Sequence, residues 1–234
     1  MAELIGNEPF EKEILETTLD ARRRLLKPGG RLIPHTLDLR AHPLLLPDED
    51  ARQRAIGRHA IERWRQLYAI EFQSLLDAAD PGPVNNPTEA EVLAGWAPVG
   101  PPVTLARVEL ERYERPTVDA VVELPVEATA EINAIAITFR AHLHGTIVHT
   151  LDPWTWPSSS WATSVWVLPD AVRVGQRERL RVRYTRRAAG RADGLTCHVS
   201  TVSGDDAVVR HAHTNSSDTV PARSPGRDVN TFHD

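Results

Sequence analysis

Residues 1–34 read MAELIGNEPFEKEILETTLDARRRLLKPGGRLIP, and the punctuation of this stretch sets the frame for the rest of the chain. It opens on an acidic loop, with no entry strand and no glycine-rich turn before it. Asn7 is placed to cap a helix, with Glu8 and Pro9 in its first turn, where negative charge suits the dipole and a missing N–H costs nothing. Phe10, Ile14, Thr18, Ala21 and Leu25 recur at helical spacing and predict one buried stripe over 8–27. Arg22, Arg23 and Arg24 complement the carbonyl end, and Pro28-Gly29-Gly30 stops the helix. Arg31–Ile33 reads as a strand, and Pro34 marks a crossing into a new unit. The segment therefore reads as the close of one structural unit.

Outward from it, Leu37 and Leu39 alternate with polar residues over 36–40 and predict a strand. Pro47-Asp48 starts a second helical segment, about 49–79, with a stripe at Ile56, Ala60, Trp64, Leu67, Tyr68, Phe72, Leu75 and Leu76. Asp80-Pro81-Gly82-Pro83 ends it, and Asn85-Asn86-Pro87 reads as a polar loop. Then the character changes. Short runs rich in Val, Ile and Thr occupy 104–112, 117–124, 131–144, 146–150, 164–168, 177–186, 195–202 and 207–213. Leu180, Val182 and Tyr184 alternate with Arg179, Arg181 and Arg183, a strand with one wet face. Short strands of this kind predict a sandwich or barrel. Residues 214–234 carry little apolar content and are expected to be disordered.

Composition narrows the function classes. The 234 residues are 41% hydrophobic and 25% charged, with a net charge of -5, unlike the basic balance of a general nucleic-acid binder. The single cysteine, Cys197, excludes an intrachain disulfide and a Cys-rich zinc site. No run approaches the ~20 apolar residues that span a bilayer, and the acidic opening lacks a signal-peptide core, so a cytoplasmic protein is expected. His142 and His144 fall on one strand face with His149 nearby, but Phe139, Ala141 and Leu143 make the opposite face core-like. These histidines read as a polar barrel face rather than a metal site. His211 and His213 read the same way. Trp154, Trp156, Trp161 and Trp166 suggest an aromatic cage or, more simply, cover over a barrel end. Arg186, Arg187 and Arg191 read as a solvated turn.

Four blocks together resemble the protein arginine methyltransferases, over about residues 2–203. AELIGNEPFEKEILETTLDARRRLLKPGGRLIP resembles the family's double-glutamate loop and following helix, with Glu3 on the first glutamate and Gly6 on the glycine. Lys12, flanked by Glu11 and Glu13, stands at the second glutamate's position. HTLDLRAHPL resembles the first barrel strand, and ERWRQLYAIEFQSLLDAADPGPVNNP the helical dimerisation arm. ITFRAHLHGTIVHTLDPWTWPSSSWATSVWVLPDAVRVGQRERL resembles the late strands around the family's Thr-His-Trp loop. There Trp161 matches, and Ser160 replaces the histidine.

The resemblance implies an α+β, mostly β fold: a helix–strand remnant of a methyltransferase domain at 1–34, then an antiparallel β-barrel at 35–213 with an inserted helical arm. It implies catalytic carboxylates at Glu3, Glu11 and Glu13, and substrate contacts at Glu8, Ser160 and Trp161. Two carboxylates suit the work, because they can hold a planar guanidinium in one orientation before methyl transfer. S-adenosylmethionine is the cofactor of the complete family enzyme, but the glycine-rich front that would hold it has no counterpart in these residues. The expectation is thus a truncated or split enzyme's barrel portion, inactive and without cofactor when alone. It would homo-oligomerise through the arm, or join a separately encoded cofactor-binding half, to act on a protein or peptide. No nucleic acid, membrane or metal is expected. The alternative is a stand-alone β-barrel binding or assembly module.

Overall fold

A computed structural model describes residues 4–54, 58–78, 82–187, 192–201 and 210–211. In chain order the elements are α1 (Ile14–Arg24), β1 (Thr36–Leu44), α2 (Asp48–Arg54), α3 (Arg58–Tyr68), α4 (Gln73–Ala78), β2 (Val84–Thr88) and α5 (Ala90–Ala94). There follow β3 (Val103–Glu109), β4 (Val118–Pro125), β5 (Ala130–His144), β6 (Ile147–Leu151), β7 (Thr163–Val174), β8 (Glu178–Arg186), β9 (Ala192–Thr201) and β10 (Arg210–His211). Mostly β with a few helices, this is the expected class. The proposed disordered tail, 214–234, lies outside the described residues.

The strands make two antiparallel sheets rather than one closed barrel. The first runs β2-β7-β5-β1-β3, with β6 also on β5, and the second runs β10-β9-β8-β4. β3 and β4 lie close, but the chain changes sheet at the turn between them. That corner is fixed from α1: Arg22 Nη1 donates to the Tyr113 carbonyl at 2.7 Å, and the Tyr113 hydroxyl bonds Thr18 Oγ1 at 2.7 Å. β5 is the spine. Its 15 residues pair with β1 along one edge and with β7 and then β6 along the other.

Period-2 alternation explains the packing. Leu37, Leu39 and Ala41 of β1, Ile135, Ile137 and Phe139 of β5, and Leu180, Val182 and Tyr184 of β8 all enter the main core between the sheets. Ala134 and Ala136 point the other way, with Val165 and Val167, into a smaller cluster closed by Leu44, Leu46, Leu93 and Trp96. The β5–β6 hairpin turns at Gly145, whose φ of 55° lies in the region a side chain disfavours.

Four local expectations are corrected. The first helix starts at Ile14, not near residue 8, and Asn7 is not its cap. Residues 7–12 are turns, because the Glu8 carboxyl captures the Phe10 N–H at 3.0 Å and the Glu8 carbonyl accepts from Glu11 N at 3.0 Å. Arg31–Ile33 forms no strand; it is an irregular stretch ending in a cis Ile33–Pro34 bond, and Ile33 is exposed. The second helical segment is three helices, with Ala69 in a left-handed conformation after α3. Of its stripe, Ala60 is buried while Leu67, Tyr68 and Leu75 face solvent, and Ile56 lies outside the described residues. Asn85-Asn86-Pro87 is not a loop but part of edge strand β2, where Pro87 needs no ladder donor. Among the described residues, no helix is long and apolar enough to cross a membrane.

Candidate functional site

The acidic segment folds back onto the main core. Leu4, Ile5 and Phe10 pack against it, and Phe10 is wholly buried. Glu11 closes the turn: its Oε1 accepts from Asn7 N at 2.9 Å, and its side chain lies over Gly6, where a Cβ would meet Glu11 Cγ at 2.3 Å. Glu13 caps α1 through its carbonyl, which accepts from Thr17 N at 2.9 Å, and adopts a φ of 56°. The Glu11, Lys12 and Glu13 side chains face solvent. Glu3 lies outside the described residues.

Glu8 behaves differently from its neighbours. It is 4% exposed, and both its oxygens are engaged inside the chain, one by the Tyr184 hydroxyl and one by Phe10 N. Burial pushes its carboxyl up to about 7, against the opposing effects of the Tyr184 and Phe10 hydrogen bonds and the Arg186 charge. Arg186 completes the network. Its guanidinium is buried, donates to Glu16 at 2.8 Å and to the Phe10 carbonyl at 3.4 Å, and also bonds the Pro116 carbonyl. The solvated turn expected at Arg186 is therefore corrected. Tyr184 and Arg186 share strand parity with Leu180 and Val182, and that parity was the signal for both.

Ser160 and Trp161 sit in the loop between β6 and β7. Trp161 N donates to Ser159 Oγ at 3.2 Å, and its half-buried indole lies 5.3 Å from the Phe139 ring. Ser160 is exposed, at a shallow cleft of about 260 Å³ that also includes Glu89 and Glu91. The aromatic cage suggested by the tryptophans is already filled. The His149 imidazole stands edge-on to Trp156 and Trp161, 5.9 Å from each. Trp154 instead stacks on buried His42 and donates to the Trp96 carbonyl at 2.8 Å. No hydrogen bond or ion pair joins Glu8, Glu11 or Glu13 to Ser160 or Trp161; what they share is the core beneath them.

His142 has a polar partner on its strand face. His142 Nε2 lies 2.8 Å from Asp38 Oδ2, and Arg107 grips the same carboxylate at 2.6 and 2.9 Å. Burial works to raise Asp38, but Arg107 and His142 outweigh it and hold the carboxyl below its usual range. No group of three or more metal-ligating side chains occurs among the described residues.

No protein-family profile matches the chain. The chain is 24% identical over 145 residues to a probable protein arginine N-methyltransferase 6 of Arabidopsis thaliana, covering 62% of this chain and 30% of that protein. Its fold is similar to that of a chain in the Trypanosoma brucei PRMT1 enzyme–prozyme heterotetrameric complex with AdoHcy, with a TM-score of 0.66 and 17% identity. That likeness covers 89% of this chain and 64% of the trypanosome chain. The chain thus spans less than two thirds of the length of each. The sequence match and the shared fold relate this chain to the protein arginine N-methyltransferases, over part of their length.

Proposed function

We propose that the chain is the acidic-loop, arm and β portion of an arginine-methyltransferase-like enzyme. In this reading S-adenosylmethionine is held by a cofactor-binding half supplied from outside these 234 residues. Residues 1–34 then belong to the methyltransferase domain, and 35–213 form the β unit with its arm at about 49–79. One observation carries the reading. The segment bearing the solvent-facing carboxylates of Glu11 and Glu13 packs on the same core that seats Trp161. Carboxylates at Glu3, Glu11 and Glu13 would hold a substrate guanidinium, with Ser160 and Trp161 on its far side. Lys12 sits between two of those carboxylates and disfavours a cation there unless paired away. Glu8, with both oxygens engaged internally, sets the position of the loop.

The residues present do not fit S-adenosylmethionine. Every strand pair among the described residues is antiparallel, so none provides the carboxyl-end crevice of parallel strands where such folds hold a nucleotide-like ligand. Isothermal titration of this chain with S-adenosylmethionine is expected to show no saturable heat; micromolar binding would contradict the assignment.

The arm supports assembly. Leu67, Tyr68, Ile70 and Leu75 are exposed, and Phe72 contacts Trp64 and Tyr68 edge-on at 5.8 and 6.2 Å. Exposed apolar side chains concentrated on one short segment suit an interface. Light scattering over a concentration series is expected to show self-association that Leu67→Glu with Tyr68→Ser abolishes. A monodisperse wild-type monomer would instead favour a stand-alone β module in the cytoplasm. One observation already points that way: Phe10 and Ile14 are covered by this chain's own core.

A further inference from the structure

The face of β1 and β5 turned away from the main core carries a second cluster of charge, remote in sequence from the acidic segment. In the β1–β5 register Asp38 lies opposite Arg140, and Arg40 opposite Thr138. Directly opposed residues share a sheet face, and so do residues two apart. Arg40 and Arg140 are therefore diagonal neighbours on one face, with Cβ atoms about 7 Å apart. Leu37, Leu39, Ile137 and Phe139 take the opposite face into the core.

The carboxylate that could neutralise this pair is already taken. Asp38 is held by the Arg107 fork and by His142. Neither Arg40 nor Arg140 makes an ion pair or hydrogen bond through its guanidinium among the described residues. Asp152 and Asp38 face Arg40 only at longer range, and Asp152 Oδ1 is occupied by Trp154 N at 3.1 Å. Burial, and then the neighbouring charge of Arg140, hold the Arg40 guanidinium below its ordinary range. Like charges side by side on a sheet are destabilising, and here Asp152 and Asp38 offset them only in part, without an ion pair to either arginine.

We infer that Arg40 and Arg140 form an oxyanion site for a phosphate group. Two guanidiniums present two donor forks, and a tetrahedral dianion can accept from both while cancelling both charges; a carboxylate cancels one. Thr138, opposite Arg40 on the same face, is engaged by buried His42 at 2.8 Å, so the two arginines carry the recognition. The phosphate could be free inorganic phosphate or a phosphorylated side chain of a protein.

The test is thermal unfolding of the full chain against inorganic phosphate, at mildly alkaline pH and with ionic strength balanced by chloride. The expected result is a saturable rise in Tm, because a ligand that binds only the folded state stabilises it. Arg40→Gln and Arg140→Gln should each weaken the apparent affinity about tenfold or more, the scale of losing one charged fork. Arg181→Gln, on the second sheet and paired with Glu123, should respond as wild type. Exposed Arg140 keeps the test available if the half-buried Arg40 variant fails to fold. A phosphoserine peptide binding more tightly than phosphate would identify a phosphorylated chain, and equal affinity would identify the free ion. No saturable response in wild type, or one unchanged in Arg140→Gln, overturns the site.

Discussion

Replacing Arg186 with methionine is expected to lower the unfolding free energy by about 3 kcal/mol. Arg186 is 1% exposed, and its guanidinium is the shared donor to Glu16 and to the carbonyls of Phe10 and Pro116. Methionine fills much of the volume but donates nothing, so a carboxylate and two carbonyls lose a partner at once. The low end of the range for a broken buried pair applies, because the Glu16 side chain keeps 26% of its exposure and can recruit water. Urea unfolding of the two proteins measures the difference. A loss under about 1 kcal/mol would mean that the network is wet enough to repair itself.

Glu8→Gln is expected to remove a pH dependence of stability. Burial raises the folded carboxyl from 4.5 to about 7, so between those values the folded state binds the proton more tightly than the unfolded chain does. The sign follows from linkage: the contribution is fully present below the unfolded value and is lost as pH rises through the folded one. For a carboxyl this buried the loss is about 3 kcal/mol. Glutamine is neutral throughout and can still accept from Tyr184. The variant should match wild type near pH ~5 and exceed it near pH ~8. Parallel denaturation curves with a constant difference across that interval would show that the carboxyl titrates normally.

Much of the β architecture was legible because alternation is a local signal with a global meaning. Leu180, Val182 and Tyr184 announce their face without any knowledge of the partner strand, and they occupy the core as expected. Carrying the same parity two residues further would have buried Arg186, against the habit of placing arginine in solvent. The start of the first helix failed for a different reason. Asn7, Glu8 and Pro9 satisfy every local rule for a helix entrance, but Glu8 is drawn to Tyr184, 176 positions away, and such a tie leaves no trace in a short window. Strand β2 was hidden in the same way. Asn85, Asn86 and Pro87 have poor strand propensity, and it is the ladder to β7 that makes them extended. At the candidate site, residue types were readable and roles were not. Four glutamates within eleven positions look alike in sequence, and only the fold separates the buried Glu8 from the solvent-facing Glu11 and Glu13.

The tie between Glu8 and Tyr184 also governs how this chain comes to be folded. A ribosome delivers residues in order, so Phe10, Ile14 and Leu15 emerge long before the strand that covers them exists. β3 and later β5 can seat β1 along its two edges, but the second sheet waits for β8. Until then the amino-terminal apolar residues have no permanent cover and must be shielded or kept apart. Closing a loop of 176 positions costs only modestly more entropy than closing a short one, so the finished fold suffers little. The burden falls on kinetics, where contacts of such long range slow the search and lengthen the time that the nascent chain is open to mispairing.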